Sequence, residues 1–266
     1  MNPGNFGAVF FFEWQRALTA ARMAWWLVLT LFPVFIVTLI RISPVPHSQG
    51  EPWAPRELWF GILFALIPML VSMLGSLLWT SPAVSSELER HSWTYLAVRP
   101  HGKTALLLGK YLAAVTWVLS AALLGLSLSV AIAQAEDPWH LWSTIAKLAC
   151  IACPAYAALY LALGSLFPQR AMAITVAYTL VFELVVGFVP ALINKLTVQY
   201  RLRTLWVDWG AIPFGGRHSS RMMTMIGEGP AWHHVLLLAG YTAGLLILAV
   251  VVVRLREFTS ETVADG

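Results

Sequence analysis

Six apolar runs, each about as long as a bilayer is thick, recur along this chain: Met23–Ile42, Leu58–Trp79, Lys110–Ala133, Leu141–Phe167, Ala171–Leu196 and His233–Arg254. A helix needs ~20 residues to cross a hydrocarbon core of about 30 Å. Lipid offers no hydrogen-bond partner to the main chain, so runs of this length fold as helices that satisfy their own amides and carbonyls. Charged residues make up only 11% of the chain, and hydrophobic residues 59%, whereas a soluble domain carries about a quarter charged residues. The expected fold is therefore all-α and integral to a membrane, as one domain over residues 1–266. Pro33, Pro68, Pro154 and Pro190 fall inside the runs, where neighbouring helices can re-satisfy the carbonyls that proline frees.

The net charge of +4 does not point to nucleic acid, because basic residues in such a chain mostly mark loop ends and orientation. Arg16, Arg22, Arg90, Arg99, Lys103, Lys110, Arg170, Arg254 and Arg256 fall on the side of the N-terminus, and most basic residues of the other side crowd into one connection, 197–232. This places both termini in the cytoplasm. Before the first run, Phe10, Trp14, Leu18 and Ala21 recur at helical spacing, with Glu13, Arg16 and Thr19 opposite. That pattern predicts an amphipathic helix over 1–22 lying in the membrane surface rather than a cleaved leader, since no basic residue precedes Arg16 and no small-residue cleavage site follows Ala8–Phe12.

Between the second and third runs lies a segment rich in charge, with Glu87, Glu89, Arg90, Arg99, Lys103 and Lys110. Such a segment sits in water and faces something there. Ser81 followed by Pro82 predicts a helix start, and Pro100 with Gly102 its end, so a helix is expected over 81–100. Val84, Leu88, His91, Tyr95 and Val98 form one stripe; Glu89, Arg90, Trp93 and Leu96 share the other face, and a Trp flanked by charges is a common anchor of protein contacts. The plainer alternative is a solvated connector whose Trp lies among lipid headgroups.

The run Glu89-x-x-Ser92-Trp93-x-x-Leu96-x-x-x-Pro100-x-x-Lys103, followed by Gly109-Lys110-Tyr111, resembles the first cytoplasmic connection of ABC-2 type transporter permeases. Ser92-Trp93 stands where that family commonly has Gly-Thr, and Lys103 where Arg is commoner. The layout is also similar: a surface helix, six spans, and a long outer connection between the fifth and sixth. The resemblance implies that 81–100 is a coupling helix, with Glu87, Glu89, Arg90, Trp93, Leu96 and Arg99 docking a separate ATPase. It further implies two ATPase subunits that carry ATP and Mg, a second permease subunit of the same or homologous sequence, and contact with lipid. Additional outer-surface subunits are compatible with it, no cofactor is expected in this chain, and a bacterial cytoplasmic membrane is its expected home. A membrane thiol oxidoreductase or other intramembrane enzyme, and a non-transporting membrane scaffold, are the alternatives.

Other patterns weigh less. Gly102-Lys103-Thr104 ends like a phosphate-binding loop, but position 97 is Ala97, Pro100 occupies the would-be loop and no strand precedes it. Cys150 and Cys153 form a Cys-x-x-Cys inside the fourth run, among alanines that suit close helix packing. Gly125-Leu126-Ser127 is similar to the nucleophile region of rhomboid proteases, yet Leu128 follows and no later span carries a histidine within it. Glu183, near the middle of the fifth run, reads either as part of a polar path or proton route, or as the partner of Lys147 in the fourth, or as a protonated acid. Leu202, Leu205, Trp206 and Trp209 predict a short helix along the outer surface within 197–232. His218, Met222, Met223 and Met225 beyond it could hold a soft metal ion, although Met-rich surfaces more often simply pack. Gly240-x-x-x-Gly244 in the last run permits close helix contact.

Overall fold

The computed structural model describes residues 7, 11–15, 18–43, 56–89, 102–185, 197–211 and 229–256. Every regular element among them is helical. Helix α1 covers Ala20–Ile42. Helix α2 (Arg56–Phe64) continues through a π-helical stretch, Ala65–Val71, into α3 (Ser72–Thr80), a 3-10 turn (Ser81–Ala83) and α4 (Ser85–Glu89). Helices α5 (Gly102–Ala133) and α6 (Pro138–Leu166) follow. Helix α7 (Ala171–Tyr178) runs on into a second π-helical stretch, Thr179–Val185. Helices α8 (Val198–Gly210) and α9 (Ala231–Leu255) complete the description.

Among the described residues, five helices are long and apolar enough to cross a membrane: Ala20–Ile42, Glu57–Glu89, Gly102–Ala133, Pro138–Leu166 and Ala231–Leu255. The protein is a multi-pass helical membrane protein. Of the fifth expected run, the structure describes the part up to Val185.

Helix α6 is the axis of the bundle. Ile145, Leu148, Ala149, Ala152, Tyr156, Tyr160 and Leu161 are wholly shielded from solvent on it. Its many alanines leave the backbone close to its neighbours, which is how apolar helices gain packing in lipid. Two other glycines mark close crossings. A Cβ on Gly75 would stand 2.8 Å from Val118 Cγ1, joining α3 to α5, and one on Gly125 would stand 2.8 Å from the Thr30 carbonyl oxygen, joining α5 to α1. Helix α9, by contrast, buries only His234, Leu238, Ala249 and Val253. Nothing lies within 4 Å of a Cβ at Gly240 or Gly244, so the expected close contact at that glycine pair does not form within the described chain.

The first π-helical stretch contains Pro68, and at its end the Ile67 carbonyl accepts from both the Ser72 amide, five residues on, and the Ser72 hydroxyl, the latter at 3.1 Å. The N-terminal helix ends earlier than its pattern predicts. Residues 11–15 are helical, but Leu18 and Thr19 are not, and Ala21 already belongs to α1. Trp14 does face the bundle, stacking on Trp117 at 5.1 Å between ring centroids. Glu13 is buried rather than turned outward, while Phe11 and Phe12 are exposed.

Candidate functional site

The charged connection begins differently from its sequence pattern. Pro82 does open a turn, but Ser81 is its first residue rather than its cap, and Thr80 in the cap position makes no side-chain cap bond. Ser81 Oγ lies 2.9 Å from Thr175 Oγ1 on α7. Thr175 already donates its one hydrogen to the Ala171 carbonyl, so Ser81 supplies the hydrogen between them. Directly across, a Cβ on Gly164 would stand well inside van der Waals contact distance of the Ser81 carbonyl oxygen. Only glycine lets α6 approach the joint so closely.

Beyond this joint, Val84 and Leu88 turn inward onto Leu107 and Tyr111 of α5, Ala158 and Leu161 of α6, and Val253 of α9. The apolar stripe that starts with Val84 and Leu88 thus begins by packing on protein. Glu87 is buried as well, and Lys110 on α5 reaches it at 2.7 Å. The same ammonium donates to the Ala83 carbonyl at 2.8 Å and to Ser86 Oγ at 3.2 Å. Its three donors therefore converge on one turn. Glu87 belongs to this internal clamp and not to an open docking surface. Glu89, two residues on, is exposed. Arg90, Trp93, Leu96 and Arg99 lie outside the described residues. A small cavity opens beside the clamp, lined by Glu13, Arg22, Trp79, Pro82, Ser86 and Lys110.

Glu183 defines a second polar site, deep in the bundle. Its carboxylate accepts from the Tyr156 hydroxyl at 3.4 Å and from the backbone amides of Val198 and Gln199 at 3.4 and 3.3 Å. Those amides are the first of α8, and Thr197 caps the next one, at Tyr200, with its own hydroxyl at 3.2 Å. A carboxylate at a helix N-terminus satisfies otherwise orphaned donors and meets the positive end of the helix dipole. Lys147 does not share this site: its ammonium stands 5.7 Å from the centre of the Trp209 ring. Of the readings open in the sequence, the structure describes neither the ion pair nor a surface position for α8. Leu202 and Leu205 are wholly buried, Trp206 stacks on Phe64 at 4.9 Å, and its indole donates to the Phe60 carbonyl at 3.1 Å. Tyr156 lies about 15 Å along α6 from Leu166 at the helical rise, so α8 starts deep between the spans and runs toward the Pro138 end of α6.

The remaining patterns find ordinary places. Gly102-Lys103-Thr104 is the first turn of α5, and Thr104 Oγ1 accepts from Arg254 Nε at 3.0 Å. Cys150 and Cys153 are free thiols, the first exposed and the second buried with Sγ 3.3 Å from Ser72 Oγ. Ser127 Oγ donates to the Leu123 carbonyl and accepts from Trp142 Nε1 at 3.0 Å. His218, Met222, Met223 and Met225 lie outside the described residues, and no cluster of three His, Cys, Asp or Glu residues able to hold a metal occurs among the described ones.

What the fold and these sites define is a helical, multi-pass membrane protein with a clamped helical turn at one end and a half-helix seated in its interior. No family model and no curated protein matches the chain.

Proposed function

We propose that this chain is the transmembrane subunit of an ATP-binding cassette transporter of the ABC-2 type. In this reading, six spans form one permease, two permeases enclose the path, and two ATPase subunits dock on 81–100 from the cytoplasm, where both termini also lie. ATP and Mg reside on those partners, and this chain performs no covalent chemistry. Apolar, lipid-facing spans favour export of a hydrophobic or lipid-linked substrate.

The observation that supports this best is the Lys110–Glu87 clamp. A docking helix is useful only if force on it moves the spans, and a turn fixed to α5 by three donors and to α6 by Val84 and Leu88 meets that need. Glu89, exposed beside the clamp, is where the partner's surface begins. The test is purification of the tagged chain from its native membrane with unbiased identification of bound proteins, repeated with Glu89→Lys, Arg90→Glu and Trp93→Ala combined. The expected result is an ATPase bound to the wild type and lost from the triple variant, since a buried aromatic anchor contributes about 2 kcal/mol, roughly thirtyfold in affinity. An ATPase retained by the triple variant overturns the docking surface. A bound quinone or disulfide partner favours a thiol oxidoreductase, and partners without an ATPase favour a scaffold.

A further inference from the structure

Across 171–185, burial recurs every fourth residue: Ala171, Thr175, Thr179 and Glu183 are buried, and the residues between them are exposed or half-buried. This stripe meets Tyr156 and Tyr160 of α6, while Gly164, four residues further on, lies against Ser81. The polar contacts run almost without interruption. Ser81 bonds Thr175. Thr179 Oγ1 donates to the Thr175 carbonyl at 2.7 Å and lies 2.9 Å from the Tyr160 hydroxyl. Tyr160 stacks on Tyr156, and Tyr156 donates to Glu183, which holds the start of α8. A strict four-residue spacing drifts around an α-helix, which turns every 3.6 residues. The π-helical stretch Thr179–Val185 takes more residues per turn and brings Glu183 back onto the face of Thr175.

We propose that the buried stripe Ser81–Thr175–Thr179–Glu183 couples the joint above α4 to the seating of α8, so that a displacement at either end shifts the other. The span on α7 from Thr175 to Glu183 is about 12 Å at the helical rise. Sliding one helix past another here leaves buried hydroxyls and a carboxylate without partners, which is costlier than moving the stripe as a unit. Met172, Val176, Leu180, Val181, Phe182, Leu184 and Val185 on the other sides of this segment are all exposed, so among the described residues the stripe, with Tyr178 beside it, ties 171–185 to the bundle. Gly164 makes the joint unforgiving, because the Ser81 backbone has no room to move toward α6.

Coupling of this kind is reciprocal, and it is measurable in the full purified chain without any partner. Hydrogen exchange by mass spectrometry would follow peptides containing Val198 and Gln199. Gly164→Ala, which crowds the joint, and Thr175→Val, which removes its hydroxyl, are expected to speed exchange there several-fold, up to about tenfold. Glu183→Gln is expected to speed exchange in 85–89. Gly125→Ala crowds the Thr30 backbone at a crossing away from the stripe and is expected to leave 198–199 unchanged. Wild-type exchange at 198–199 in both Gly164→Ala and Thr175→Val overturns the coupling, and so does an equal effect of Gly125→Ala. If Gly164→Ala does not fold, Thr175→Val and Glu183→Gln decide the matter. Since no ATPase enters the experiment, its outcome is independent of the docking partner.

Discussion

Lys110 on α5 holds Glu87 on α4 at 2.7 Å, with both side chains almost wholly buried. The pair closes a turn made by residues 83–87 against a helix that begins more than a dozen residues later in the chain. Two charges brought into a poorly hydrated place cost desolvation, which here is offset by their contact and by the Ala83 carbonyl and Ser86 hydroxyl on the same ammonium.

Lys110→Met leaves the Glu87 carboxylate buried without its cation and should destabilise the folded chain by about 3 kcal/mol. Glu87→Gln combined with Lys110→Met should recover most of that loss, because no uncompensated charge remains. Thermal unfolding in detergent of the two variants beside the wild type checks this. Equal destabilisation by the single and double changes would show that packing, and not charge, holds the turn.

Glu183→Gln keeps the shape of the cap but replaces one acceptor oxygen with a donor, and should cost about 1–2 kcal/mol through weaker bonding to the first amides of α8. Lys147→Gln should cost less, since it loses only a contact with the Trp209 face. The two changes should add to within about 0.5 kcal/mol. A double variant more stable than Glu183→Gln alone would reinstate the pair that the sequence leaves open.

Gly125→Ala should destabilise the chain by about 1–3 kcal/mol, the usual penalty of overpacking, because its new methyl meets backbone rather than a yielding side chain. Gly240→Ala and Gly244→Ala have open space and should stay within about 0.5 kcal/mol of the wild type. If the α9 glycines lie between two copies, Gly240→Leu with Gly244→Leu should leave monomer stability intact and lower the dimer fraction in crosslinking.

Orientation can be read by labelling single cysteines in intact cells, with Cys150 and Cys153 first replaced by alanine. Glu89→Cys should resist a membrane-impermeant thiol reagent and Trp139→Cys should react, as both positions are exposed on the chain. The reverse pattern would invert the topology and remove cytoplasmic docking with it.

The spans were legible in the sequence because length and apolarity decide them, and α1, α6 and α9 start and stop within a few residues of their apolar runs. The coarse position of the charged turn was legible too, since charge between two spans has nowhere else to go. The pairing of Glu87 with Lys110 was not, because the two lie 23 positions apart and either could have faced water. The same holds for Ser81, whose local pattern suits a cap but whose hydroxyl serves Thr175. Helix α8 carries three charged side chains, Arg201, Arg203 and Asp208, together with Gln199, which reads as a surface helix. What places it inside is the carboxylate of Glu183, a residue in another helix, and no periodicity within α8 announces that.

The π-helical stretch at Thr179–Val185 gives chain length here a weight that side-chain identity does not have. Deleting Leu180 or Val181 would change no chemical group of the stripe, yet it would rotate Glu183 by roughly a quarter turn around its helix. The carboxylate would then point among the exposed neighbours Phe182 and Leu184, and the first amides of α8 would lose their acceptor. Frame, in the sense of how many residues precede the acid, is thus a heritable property of this span in its own right. Along it, insertions and deletions should be purged where conservative replacements are tolerated.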